Sequence, residues 1–226
     1  MRKSKKIFYI SICFFILGAV IFASFTRQSF KDNVHKSNIN QGYKNSYVSI
    51  QNDEEFTSLY FNNNINNLDQ LIKESDLIVK VKVSNERELY NQAILSKMKV
   101  KEVYKNFNDQ VNQYFYMFEP NYFNFDTYMA LSGYNILKPT QEYILFLKQL
   151  KIPNGYKYEK KEKLMYVPVS TVYSKYSINT ENTTKLINSN STIQYEQIEN
   201  YEILTDNKQT LAKFHSFKKD VLDRFN

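Results

Sequence analysis

Ser75-Asp76-Leu77-Ile78-Val79-Lys80-Val81-Lys82-Val83 decides how the rest of the chain is read. Leu77, Val79, Val81 and Val83 fall on one side of an extended backbone, and Lys80 and Lys82 on the other. That period of two is the mark of a half-buried strand. A helix is expected just before it, over Ile65 to Ser75. Ile65, Leu68, Leu71 and Ile72 form its stripe, with Asn63 or Asn64 as N-cap.

Downstream, strands are expected to pair with this one and with each other. Ile94 to Tyr104 alternates Ser96, Met98 and Val100 with Lys97, Lys99 and Lys101. Val103 then breaks parity, which places a bulge near Lys101-Glu102, the device by which a long strand bends towards closure. Lys105 to Asp109 reads as a turn, Val111 to Phe118 as a strand, and Asn121 to Leu131 as an aromatic loop. Gly133 to Thr140 is turn-like. Glu142 to Leu147 is apolar on both faces, as a central or closed-barrel strand must be. Tyr156 to Val169 reads as a hairpin with a charged tip, and Thr180 to Thr192 as a polar loop. Asp206 to Gln209 resembles a capping box. Leu211, Phe214, Phe217, Val221, Leu222 and Phe225 follow at helical spacing.

The amino terminus is of another kind. Met1 to Lys6 carries Arg2, Lys3, Lys5 and Lys6, and Ile7 to Phe25 holds no charge. At 1.5 Å per residue that run matches a bilayer core of about 30 Å. It is longer than the apolar core of a signal peptide, so it is expected to be an uncleaved anchor, with secretion after signal cleavage as the alternative. The positive-inside rule puts residues 1–6 in the cytoplasm and the rest outside. Residues 26–51 are expected to form a polar stalk, and 52–226 a β-rich domain with a C-terminal helix. Glu54 to Tyr60 could add a helical turn or two, with Phe56, Leu59 and Tyr60 on one face.

Composition narrows the functions. Of the 226 residues, 30 are basic and 23 acidic. Without the four leading positives, 26 basic residues face 23 acidic ones, too even a balance for a nucleic-acid partner. Heavy use of Lys, Asn, Ile and Tyr is what A/T-rich codons produce. The single cysteine, Cys13, lies in the apolar run, so neither an intrachain disulfide nor a cysteine metal site is expected. His35 and His215 have no partners at ligand or triad spacing. The glycines are isolated, so no phosphate-cradling loop is expected. Neither catalytic residues, metal ligands nor a cofactor are expected. Glu119, Asp126, Glu142 and Asp76 would have to pair in space to do acid–base work.

The strand ending VKEVYKN (Val100 to Asn106), VNQYFYMF and EYILFLK together resemble small exported bacterial domains with OB-type barrels. These are similar in fold to the amino-terminal domain of tissue inhibitors of metalloproteinases. The resemblance covers Asp76 to Leu147 and implies a small OB-like antiparallel barrel with flanking helices. Asn106 stands where those domains have Gly, and Tyr134 to Thr140 is a longer connection. Those inhibitors chelate zinc through an amino-terminal cysteine, and no cysteine lies outside the apolar run here, so that mechanism is not implied.

The expected fold is therefore mainly β (α+β), preceded by one transmembrane helix. The expected function is a membrane-anchored, non-catalytic binding domain for a protein, peptide or envelope glycan. Tyr122, Phe123, Phe125 and Tyr128 are the candidate ligand-binding residues. An envelope hydrolase and a structural subunit of an envelope or sporulation complex, docked through the terminal helix, are the alternatives.

Overall fold

A computed structural model describes residues 12–26, 44–90, 92–107, 111, 113–150, 154–179, 184–188 and 192–226. The chain divides into two units, Met1–Lys36 and Ser37–Asn226. In the first, residues 12–26 form a helix, α1, whose side chains are exposed. The amino-terminal part of the expected anchor, residues 7–11, lies outside the described residues. Among the described residues no helix is long and apolar enough to cross a membrane.

The second unit is mixed α+β and mostly strands. Its long antiparallel pair is β2 (Leu77–Tyr90) and β3 (Ala93–Asn106). The expected alternation holds: Leu77, Val79, Val81 and Val83 are all buried. Lys82 is exposed, and Lys80 is half-buried with its Nζ 3.1 Å from Asn226 Oδ1. β2 runs seven residues past Val83, because the strand continues after the apolar pattern stops. Register shifts fall between Ile78 and Val79, Lys80 and Val81, and Val83 and Arg87. The second leaves Lys101 extra on β3, at the expected bulge. Such extra residues bend and twist the pair.

β4 (Tyr114–Glu119) pairs antiparallel with β3. Two short strands follow, β5 (Asn121–Asn124) and β6 (Thr127–Leu131). β7 (Glu142–Gln149) pairs antiparallel with β2 and with both later strands, β8 (Met165–Pro168) and β9 (Lys175–Ser177). β8 in turn pairs parallel with β4. The hydrogen-bonded neighbours β2, β3, β4, β8 and β7 thus run in a circuit back to β2. β7 is buried on both faces as expected. Tyr143, Leu145 and Leu147 join the β2 interior residues, while Ile144 and Phe146 meet the terminal helix side.

Several elements differ from expectation. The stretch read as stalk contains β1 (Tyr47–Gln51), paired parallel with β6; residues 27–43 lie outside the described residues. The aromatic stretch 121–131 is a β5–β6 hairpin, not a loop, in a three-stranded sheet ordered β1-β6-β5. Helix α3 (Leu68–Glu74) is capped by Asn67, whose side chain accepts from the Gln70 amide. Asn63 is occupied elsewhere, bonding Ser170 and Thr171. Tyr156 to Val169 is not a two-armed hairpin; a 3-10 turn at Glu162–Leu164 leads into β8. A short helix, α4 (Tyr195–Ile198), was not foreseen. The terminal helix α5 (Lys208–Phe225) is capped by Asn207, one residue beyond Asp206. Phe214, Phe217 and Val221 of α5 are buried against Ile78, Ile144, Phe146 and Tyr176. The apolar face of α5 is thus spent on its own domain.

Candidate functional site

The four candidate aromatics are divided by the hairpin. Side chains alternate along a strand, so Tyr122 points to one face of the three-stranded sheet and Phe123 to the other. Tyr128 shares the inner face and is 0% exposed. Its hydroxyl accepts from the Asn121 amide at 2.7 Å and from Ile136 N at 2.9 Å, and donates to Asn135 Oδ1 at 2.9 Å. Phe123 packs on Tyr128 and Tyr195. Phe125 sits in the turn at φ 51°, 92% exposed. The four candidates therefore do not share one exposed surface: Tyr128 is core, Phe123 half-buried on that core, and Phe125 alone at the tip.

Tyr122 faces an apolar cleft of about 430 Å³. Met129 and Leu131 of β6 stand beside it on the same sheet face. The opposite wall is helix α2 (Glu54–Tyr60). Asp53 caps that helix, its Oδ1 accepting from Phe56 N at 2.9 Å. Glu54 and Glu55 in the first turn complement the helix dipole. Spacing of four then sets Phe56 and Tyr60 on one face, rings 5.2 Å apart, both lining the cleft. Leu59, expected to share that face, is exposed and does not line it. Phe118 and Pro120 at the end of β4, with Val167 of β8, complete the floor. Concave, apolar and aromatic walls drawn from several elements are the usual form of a ligand site.

A second, larger groove of about 1110 Å³ runs past Asn62, Asn63 and Ser132. Most of its polar groups are bonded within the fold. Thr57 Oγ1 lies 2.8 Å from Ser132 Oγ, and the Asn62 amide reaches Glu74 at 2.9 Å. Glu54, Glu55 and Asp206 lie at its rim, exposed.

The other acidic candidates are held individually. Asp76 Oδ2 accepts from Gln149 N at 2.9 Å, Glu142 lies 3.7 Å from Lys101 Nζ, and Asp126 is exposed in the hairpin turn. Glu119 is fully buried beside Arg87. Glu202, not foreseen as a buried group, accepts from Ser177 N at 2.7 Å and pairs with Lys218. Burial pushes the Glu202 carboxyl up against its cations. Neither Glu119 nor Glu202 lines either cavity. Among the described residues no three acidic, His or Cys side chains gather in metal-binding geometry. His215 is exposed on α5, and His35 lies outside the described residues.

Lys175 is a further buried group that the sequence did not advertise. Its ammonium donates to the carbonyls of Asn135 and Glu202 and lies 4.5 Å from the centre of the Tyr134 ring. Burial pulls its pKa down to about 8, against the opposing pull of Glu119 and Glu202. Protonation therefore favours the unfolded chain, whose lysine titrates near ~10.4. This group destabilises the fold fully below pH 8, and the penalty fades as pH rises towards the unfolded value. Chemical-denaturation midpoints of the full chain are expected to climb between about pH 8 and 10, from the folded towards the unfolded lysine value, and Lys175→Met to flatten that slope. An unchanged slope in the variant would assign it elsewhere.

Neither models of known protein families nor curated proteins match the chain.

Proposed function

We propose that the chain is a membrane-held, extracytoplasmic binding domain built on an OB-type barrel, with the Tyr122 cleft as its ligand site. The strand circuit supports the barrel reading. Every neighbouring pair in it is antiparallel except β4–β8. The likeness to the inhibitor domain stays at the level of fold. The basic stretch Met1 to Lys6 followed by the uncharged Ile7 to Phe25 supports an anchor with the second unit outside.

One observation carries the binding reading: Tyr122, Phe56, Tyr60 and Phe118, from three elements, converge on one apolar cleft. A water-exposed apolar concavity of this kind is retained at a cost in solubility, and such surfaces mark interaction sites. The core uses of α5 leave the alternative of helix-mediated assembly without an apolar face to dock.

The test is capture of isolated cell-envelope fragments by the full chain in lipid nanodiscs. Tyr122→Ala combined with Phe56→Ala is expected to lower capture about tenfold, ~1.4 kcal/mol, with little change in melting. Capture unaffected by the pair would remove the cleft from the account. Protease added to intact protoplasts is expected to degrade the second unit; full protection would place that unit inside.

A further inference from the structure

The turn between β5 and β6 holds a residue that the fold itself does not use. Asn124 pairs with Thr127, so Phe125 and Asp126 alone close the hairpin. A two-residue hairpin loop favours Asn, Asp or Gly where φ is positive. Here that place is taken by Phe125, at φ 51° and 92% exposed. A bulky side chain in the left-handed region costs backbone energy. With the ring in solvent, packing inside the domain does not offset that cost. Strain kept without a structural return points to a contact outside the fold.

A second aromatic stands at the same corner. β1 runs parallel to β6 with Tyr47 opposite Thr127, and Tyr47 N bonds the Asp126 carbonyl at 2.8 Å. Val48 and Ile50 pack on the core beneath the sheet, so Tyr47 turns to the other face, 46% exposed. Tyr47 also opens the first strand of the second unit, so the segment that follows α1 enters the domain here. The point of entry and the most exposed aromatic of that unit's described residues are thus neighbours in one ladder. Charge at the corner is mixed. Lys44 is exposed three residues ahead of Tyr47, and Asp126 and Glu196 are exposed beside it, the Glu196 amide bonding the Lys44 carbonyl at 3.1 Å. Such a corner does not attract a polyanion. What it offers is apolar surface ringed by polar groups, the pattern of side chains that settle at a membrane–water boundary.

We propose that the Phe125 turn, with Tyr47 beside it, dips into the surface of the lipid bilayer that holds residues 7–25. The inference rests on the anchor in the functional reading and adds to it a second membrane contact, which sets the end of the domain that meets lipid. Phe125 enters the boundary between headgroups and acyl chains, while Asn124, Asp126 and the Lys44 ammonium stay among the headgroups. One ring binds a bilayer too weakly to hold a free domain. On a tethered chain the same step is intramolecular, and effective concentration makes up for the small contact.

The chain has no tryptophan, so a single one reports its own surroundings. Phe125→Trp is made in the full chain and placed in phosphatidylcholine nanodiscs, with Phe107→Trp as control. Phe107 is 76% exposed and follows the end of β3 remote from the Ile94–Glu119 pair, and hence from β5. Phe125→Trp emission is expected to shift to shorter wavelength and to be quenched when the acyl chains are brominated, at low and high salt alike. Phe107→Trp emission is expected to do neither. Phe125→Asn, which suits the positive φ, is expected to melt no lower than the parent; a clear drop would show that the ring serves the fold and would overturn the inference. Chains that enter nanodiscs yet keep Phe125→Trp at its solvent wavelength overturn the contact and leave the anchor standing. A shift without bromine quenching puts the ring against protein, a second copy included, and overturns it too. Equal quenching of both variants removes the preferred corner. A chain that does not enter nanodiscs at all takes down the anchor and this contact together.

Discussion

Glu119→Leu is expected to destabilise the full chain by ~3–5 kcal/mol, the range for stranding the partner of a buried ion pair. Glu119 is 0% exposed, and its Oε2 accepts from Leu137 N at 2.7 Å and from the Tyr134 hydroxyl at 3.1 Å. Oε1 accepts from Ser96 and lies 3.5 Å from Arg87 Nη2. The Arg87 side chain is 4% exposed and also donates to the Leu137 carbonyl. Burial, and then the charge of Glu119, push the Tyr134 hydroxyl well up, so it stays a donor. Leucine would fill much of the volume but strip a buried guanidinium of its carboxylate and take the acceptor from three other donors, Leu137 N and the Tyr134 and Ser96 hydroxyls. Adding Arg87→Leu to Glu119→Leu is expected to recover part of the loss, because the second change removes the stranded charge. A loss below about 1 kcal/mol for the single variant, read from denaturant midpoints, would show that water or repacking replaces the carboxylate.

How much of this could be read from the residues depends on how their pattern meets burial. The Leu77–Val83 alternation and the α5 stripe are legible because one face of each is apolar, and the Glu142–Leu147 run because an unbroken apolar stretch marks a strand buried on both faces. β1 is not, since Tyr47-Val48-Ser49-Ile50-Gln51 sits at the end of a polar stretch and packs only Val48 and Ile50 on a cluster that includes Tyr128 and Ala130 of β6 and Tyr195 and Ile198 of α4. β9 is three residues long, and Lys175 within it reads as a solvent residue until its buried carbonyl partners are known. The aromatic hairpin hides its period, because Tyr122-Phe123 and Tyr128-Met129 are apolar on both faces. Tyr122 was therefore found together with Tyr128, which the fold buries. The outward face of β4 was available in principle. If Phe115 and Met117 fill the core, Tyr114, Tyr116 and Phe118 must face out, and VNQYFYMF already contains that alternation. The cleft wall from α2 was half-legible: Phe56 and Tyr60 share a face at spacing four, but nothing local says that they meet β5.

Gly133→Ala is expected to cost ~3 kcal/mol, and the reason is backbone geometry. Ser132 and Gly133 both take positive φ, 45° and 77°. A non-glycine residue in that region loses about 1 kcal/mol or more. Space adds to the conformational cost, since a Cβ on Gly133 would lie well inside contact distance of the Leu204 carbonyl oxygen. That oxygen belongs to backbone, so it cannot turn aside as a side chain would. The Leu204 amide is bonded to the Gly133 carbonyl at 2.8 Å, and Tyr134 bridges Ile203 next to it. Moving Leu204 outward therefore breaks the junction that brings residues 202–204 into the core. Ile203 and Leu204 are both buried, in separate clusters, and Glu202 carries the Lys218 pair on α5. The loss should appear as a melting point lower by roughly 6–12 °C, at 2–4 °C per kcal/mol for a domain of this size. Ser132→Gly is the control: it relieves a positive φ without adding an atom, at the expense of the Thr57 contact, and is expected to shift melting far less. Equal losses in the two variants would mean that the Thr57–Ser132 bond, and not the close approach of two backbones, holds this corner.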